Sequence, residues 1–510
     1  MSPNEHDSPN PGPGQGLATT SSTGKRRGRK PAQDTLLYDT FQELLLTHVR
    51  PCFPQDRTYK RFAGFVTSII AGIGDKTLAS TISLRDIDKL DWSPEYKVFG
   101  RCPWNPEDVF REVLRALLPH LDPDQPVMLF IDDTSLWRWS HKIPNTRWCH
   151  DPLAPPFIKP AIKWGHLLIH AAIGLPPGAS HRPTAVTVAF EPVIGRRLKA
   201  RKSKGGTPAK RGRPRKTEDP PPDESAAKVK TPPISTELAV QIIRRIRGWL
   251  DEFGVRRTLM VVVDGSYLNS TVVNGLPERT ELVGRTRHDA KLFRPLPAKQ
   301  GNHVYGERLD TPERIGTDPL GHPQVTKTFI YGCDLYPARY TDVHPVLWRN
   351  GTRSRPMRLL VLGPTRYGPK GDRSYRQPAF LLSTDLSSDP AMLLQCYLCR
   401  WQIEVVHRML KQEVGLGQTQ CRDSSAKIFA GITAAFALFT LACLRVGGDL
   451  RGPMYHELPK WQSEPRRRRE LKRIKEGRPA PVYRATIRDN IALLRKGLHL
   501  HWRDGILRCS

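Results

Sequence analysis

Apolar residues recur every three or four positions through LLYDTFQELLLTHV (Leu36–Val49) and YKRFAGFVTSIIAGI (Tyr59–Ile73), which predicts a mostly helical N-terminal domain over 35–120. The period then changes. VMLFI (Val127–Ile131) is a short continuous apolar run ending in Asp132 and Asp133, and TLMVVV (Thr258–Val263) is a second one ending in Asp264. Runs of this length predict buried strands that present a carboxylate at their C-terminal ends. Strand-like segments also cover His166–Ile173 and Thr184–Phe190. STELAVQIIRRIRGWLDEF (235–253) reads as an amphipathic helix with a Ser or Thr cap. Strands, then a helix, then another strand predict a mixed α/β sheet flanked by helices.

From about Glu281 to Leu382, LVGRTRHDAKLF, QVTKTFIYGCDLY, MRLLVLG and AFLLST cluster β-forming residues between Gly and Pro breaks, so 281–385 is expected to be β-rich. Residues 390–444 return to helical character. The apolar run IFAGITAAFALFTLACL (Ile428–Leu444) is marginal for a bilayer, which needs roughly 20 apolar residues, and is expected to be a buried core helix.

Composition changes this picture at the ends and in one loop. Residues 1–34 are rich in Ser, Pro, Gly and Asn around KRRGRKP (Lys25–Pro31) and form a tail. Eleven of the 21 residues from Arg196 to Lys216 are Lys or Arg and none is acidic, so 196–233 reads as a disordered basic insertion. A basic extension, 445–510, follows the last helix. The net charge of +30 favours a polyanionic partner, and the scattered, odd number of Cys (nine) without a charged-then-apolar leader fits a reducing cytoplasm, with the chain nucleoid-associated. Cys396 and Cys399 lack a second ligand pair and are read as packing residues; Cys149, His150 and His166 fit no common zinc spacing. GDKTLASTISL (Gly74–Leu84) is the one weak helix-turn-helix candidate in the N-terminal helices.

Three carboxylates carry the candidate chemistry: Asp132 and Asp264 after buried strands, and Glu404 in a helix. Side-by-side aspartates with a third carboxylate offer the oxygen shell that Mg²⁺ prefers, and two such ions cleave phosphodiesters. Around Glu404, in YLCRWQIEVVHRMLK, a single helix would place Tyr397, Arg400, Glu404 and Lys411 within about 60° of one another. Arg400 and Lys411 are then candidates for phosphate contact and Tyr397 for stacking or hydrogen bonding. Asp133 competes with Asp132, since adjacent strand side chains face opposite ways. Arg285 and Arg287 are further phosphate candidates, and either is equally readable as a surface charge. Arg211 and Arg213, in Lys210–Lys216, match the core of an AT-hook for the narrow minor groove.

The spacing Y-x2-R-x3-E-x6-K at Tyr397, Arg400, Glu404 and Lys411 resembles that of cut-and-paste insertion-sequence transposases of the DDE type. FIDDTSLWRW is similar to that family's first-aspartate block, with Thr134, Ser135 and Leu136 aligning Asp132 as the acid. VVVDGSYLN with ELVGRTRHDAKLF is similar to the second, and GLGQTQCR (Gly415–Arg422) to the segment after the glutamate. The resemblance runs from Val127 to Leu444. It implies an RNase H-like catalytic domain over 121–444, interrupted between the second Asp and the Glu by the β-rich insertion. Outside its reach, the helical N-terminal domain over 35–120 is expected to bind DNA. The resemblance further implies two Mg²⁺ ions, Mn²⁺ substituting, held by Asp132, Asp264 and Glu404. The implied partners are transposon inverted-repeat ends, target DNA and a second copy of the chain in a dimeric synaptic complex. Two alternatives remain: a catalytically silent DNA-binding derivative, against which the intact acid triad argues, and another RNase H-like nuclease, which the four-residue spacing and the long insertion disfavour.

Overall fold

The computed structural model describes residues 33–194 and 234–446, with short breaks of which the longest are 84–90, 177–182, 367–374 and 419–424, and a few positions between 475 and 494. The tail at 1–32, the basic insertion with Arg211 and Arg213, and most of the C-terminal extension lie outside the described residues.

Among the described residues five helices come first: α1 (Gln33–Leu44), α2 (Asp56–Ala71), α3 (Leu78–Ser83), α4 (Ser93–Gly100) and α5 (Pro106–Leu117). A π turn and a 3-10 turn follow α1 directly, carrying the chain through Leu45 to Cys52. In α5 the Asn105 side chain accepts from the Glu107 N–H and Pro106 occupies the first turn, satisfying one otherwise orphaned donor and leaving none at the proline. The weak helix-turn-helix candidate becomes α3, only six residues long and with Leu78, Thr81 and Ile82 turned inward.

The sheet begins with β1 (Val127–Trp137), β2 (Arg147–His150), β3 (Ile162–Leu175) and β4 (Thr184–Pro192), continues after α6 (Ser235–Glu252) with β5 (Leu259–Val263), and after α7 (Ser270–Gly275) with β6 (Thr280–Arg285). Strand β1 is antiparallel to β3, β3 to β4, and β1, β5 and β6 are parallel neighbours. The order β4-β3-β1-β5-β6 is that of an RNase H-like core. Both apolar runs are fully buried, as strands covered on two faces must be. Strand β1, however, runs six residues past its VMLFI run, so Asp132 and Asp133 lie inside it rather than after it. The cap of α6 also differs from expectation: Glu237 reaches back to accept from the Ile234 N–H at 3.0 Å, and neither Ser235 nor Thr236 is the cap residue.

The β-rich stretch does not stand apart from this sheet. Its first expected strand is β6, a core strand. Beyond it come β7 (Leu292–Gln300), β8 (His303–Arg308), α8 (Pro312–Thr317), β9 (Val325–Tyr331), β10 (Asp334–Trp348), β11 (Pro356–Leu362), the short hairpin β12 (Thr365–Arg366) and β13 (Tyr375–Arg376), and β14 (Ala379–Ser383). Strand β14 pairs antiparallel with β6 and β11 follows it, so the insertion prolongs the core into a 12-stranded mixed sheet among the described residues.

Helices α9 (Pro390–Cys399), α10 (Trp401–Gln412) and α11 (Ser425–Val446) return to the core. Helix α11 contains the long apolar run and is a core helix: 89% of its most apolar window, within Ala426–Val446, is buried. It packs against β4 and also receives α1, α2 and α5, for example through the edge-to-face pair Phe41 and Phe439 at 5.8 Å. The N-terminal helices and the sheet therefore share one continuous apolar core. Ile491 and Leu494 from the C-terminal segment are buried in it as well.

Candidate active site

Parallel pairing of β1, β5 and β6 sets the site. The last matched row is Ile131, Val263 and Gly284, and the next residue on each strand is Asp132, Asp264 and Arg285. Residues in one row of a parallel sheet point to the same face. Strand β5 ends at Val263 while β1 continues on β3, so the Asp132 row opens to one side at the C-terminal edge of the parallel strands. Asp132 faces His170 across β3, and His170 packs against His407 of α10 with ring centroids 4.8 Å apart. The face bearing Asp132 is thus the face α10 covers.

Helix α10 delivers Glu404 there. Asp389 caps α9 by accepting from the Ala391 N–H, with Pro390 next in sequence, which starts that helix cleanly. The single continuous helix expected from sequence is corrected here: α9 ends and α10 begins at Arg400, through two tight turns in which Arg400 N–H donates to Tyr397 O and Ile403 N–H to Arg400 O. The guanidinium of Arg400 donates to Asp132 Oδ2 at 3.1 Å and to Glu404 Oε1 at 2.7 Å. It ties the strand acid to the helix acid.

Burial pushes Asp132 up to about 7, with Arg400 opposing and the Asp264 charge reinforcing the shift. Asp264 Oδ1 accepts from both the backbone N–H and the hydroxyl of Ser266, at 2.9 and 2.7 Å, which fixes that carboxylate. Asp133 points to the opposite face, where the buried Tyr267 hydroxyl donates to it at 3.2 Å. Desolvation raises its pKa as well. Among the four residues around the glutamate, Tyr397 is close enough to Arg400, Arg285 and Asp264 to feel their charges, and burial raises its phenol against the opposing pull of the two arginines. Lys411 lies in the last turn of α10, exposed and about 10 Å along the axis from Glu404. Arg285 is exposed at the rim, whereas Arg287 forms a two-pronged pair with Asp289 and leaves the site.

The three acids supply only hard oxygen donors on one face, which fits Mg²⁺ rather than a thiophilic ion. Among the described residues no three His, Cys, Asp or Glu side chains are gathered closely enough to grip an ion as they lie. Cys149 and His166 are on opposite faces of their hairpin, and His166 instead bonds Arg138 and the Pro144 carbonyl. Cys396 and Cys399 are buried in α9.

Sequence reasoning missed two features. Tyr267 anchors Asp133, a role only the fold reveals. His170 and His407 form a buried pair whose Nδ1 and Nε2, respectively, have no hydrogen-bond partner, and burial is the first cause lowering both pKa values, His407 to about 3. The available signal was that His407 lies three residues from Glu404, on the same helical stripe.

A family model described as DDE superfamily endonuclease matches residues 94–355, just over half of the chain. The matched region contains Asp132, Asp264 and Arg285 and stops before Tyr397–Lys411. No curated protein matches the chain.

Proposed function

The chain belongs to the DDE superfamily endonucleases, and on that premise we propose that it is a cut-and-paste DNA transposase that cleaves at inverted-repeat ends and joins them to target DNA. One observation carries this reading: Asp132 and Asp264 follow the last paired row of two neighbouring parallel strands, on the side that a helix glutamate approaches, and one arginine links the first aspartate to that glutamate. In the proposed mechanism Asp132, Asp264 and Glu404 hold two divalent cations. Bound there, the cations would supply Lewis acidity to the attacking and leaving oxygens of a phosphodiester. Arg400, Lys411 and Arg285 would receive phosphate oxygens, and Tyr397 would orient the strand beside Asp264. Arg211 and Arg213 would add minor-groove contacts to A·T-rich DNA. A second copy of the chain would hold the other transposon end.

The test is Mg²⁺-dependent cleavage of a labelled duplex carrying the inverted-repeat end. The native chain is compared with Asp132→Ala, Asp133→Ala, Asp264→Ala and Glu404→Ala, each checked for DNA binding. Loss in the Asp132, Asp264 and Glu404 variants, with Asp133→Ala active, is expected. Cleavage surviving in Glu404→Ala would refute the three-acid mechanism, and activity on any duplex alike would favour a general nuclease.

A further inference from the structure

Arg400 is the residue at which α9 and α10 meet, and its side chain is mostly buried, with 15% of its surface exposed. Both ends of its guanidinium are used on carboxylates, Asp132 on the strand and Glu404 on the helix. A positive charge thus already stands between two acids that the proposed function assigns to metal, while the acids are not gathered around a common point. A metal ion taking the oxygens that Arg400 holds, Asp132 Oδ2 and Glu404 Oε1, would compete with the guanidinium. A guanidinium is also planar, forked and permanently charged, which suits a phosphate as well as it suits a carboxylate.

We propose that Arg400 is an internal counter-cation that exchanges partners: it holds Asp132 and Glu404 in the metal-free protein and passes to a DNA phosphate when a divalent ion takes the acids. This rests on the assignment of Asp132 and Glu404 as metal holders. Metal would then release Arg400 toward phosphate, and phosphate would release the acids toward metal. Such coupling is reciprocal, each ligand raising the affinity of the other by the same factor. The device favours metal loading in the DNA-bound protein over the free one.

The experiment is Mn²⁺ binding followed by electron paramagnetic resonance, with and without a short duplex of unrelated sequence, on the native full chain, Arg400→Ala, Arg400→Gln, Asp132→Ala and Glu404→Ala. In the native protein the duplex should raise Mn²⁺ affinity about tenfold, within the usual range of such couplings. Arg400→Ala should bind Mn²⁺ about tenfold more tightly without DNA, and the duplex should no longer change it. Should Arg400→Ala fail to fold, Arg400→Gln, which drops the charge while keeping a planar polar end, carries the same expectation. Native-like or weaker Mn²⁺ affinity in a folded Arg400 variant, or a retained duplex effect, overturns the exchange. Undiminished Mn²⁺ binding in Asp132→Ala and Glu404→Ala would instead overturn the metal-holding assignment on which it stands.

Discussion

Asp132→Asn should stabilise the metal-free protein, and by an amount that depends on pH. The carboxyl of Asp132 titrates near 7 in the fold against 3.8 for the ordinary group, because burial disfavours its charged form more than Arg400 favours it. Between those values the unfolded chain has released a proton that the folded chain retains. Stability therefore falls as pH rises from about 4 to about 7 and is level above that. Three units at about 1.36 kcal/mol each set a ceiling of about 4 kcal/mol. The side chain is 16% exposed and neighbouring groups relax, so about 2 kcal/mol is the expected gain for the neutral amide at pH 8. Thermal unfolding in EDTA measures it: a rise of a few degrees at pH 8 that vanishes near pH 4. Magnesium at a hundredfold excess over its dissociation constant would add about 2.7 kcal/mol to the native protein and little to the variant, closing or inverting the gap. A variant no more stable than the native chain at pH 8, or one equally favoured at pH 4, refutes the reasoning.

Three further outcomes follow from the same geometry. Cleavage should decline as pH falls through about 7 at low Mg²⁺, with the midpoint moving lower as Mg²⁺ rises, because ion and proton compete for Asp132; a midpoint indifferent to Mg²⁺ in a rate profile would count against this. Gly165→Ala would place a methyl against the Leu136 carbonyl, part of the β1–β3 ladder that cannot move away, and Gly174→Ala would drive one into the fully buried Phe130 ring; melting should show a cost of about 1–3 kcal/mol for each, and an unchanged melting point in either would contradict this packing. His407→Leu should be nearly neutral at pH 7 and should blunt acid unfolding. The native imidazole resists protonation down to about 3 while the unfolded one takes a proton near 6.5, so native stability is lost as pH falls below 6.5, and an unaltered acid limb in the variant would contradict that.

What was legible in the sequence is what local apolar pattern controls. VMLFI and LMVVV announce strands because a two-sided buried strand needs an unbroken apolar run, and each run delivers its aspartate at a definite place. Alternation alone left Asp132 and Asp133 tied. The pairing of Asp132 with His170, and of His170 with His407, assigns Asp132 to the helix-covered face, and that depends on contacts 38 and 237 residues apart in sequence. The attachment of the insertion was equally hidden. Nothing in AFLLST says that it pairs with β6, since short apolar strands carry no address for a distant partner.

The break at Arg400 shows the same division most sharply. LCRWQIE contains neither Gly nor Pro, so no local residue ends the helix, and sequence extends it straight through. In the fold, two tightened turns end one helix and start another, and Glu404 falls in the first turn of α10. There the exposed backbone N–H groups give the helix a positive end, worth about 0.3–1 kcal/mol to a nearby carboxylate. In an uninterrupted helix from Pro390, Glu404 would stand in the fourth turn, beyond that influence. The break thus reduces the electrostatic cost of bringing a third acid beside Asp132 and Asp264, and the residue at the break supplies the guanidinium that holds the acid there. A sequence reading could place Tyr397, Arg400, Glu404 and Lys411 on one stripe. Only the junction explains why Arg400 reaches both Asp132 and Glu404.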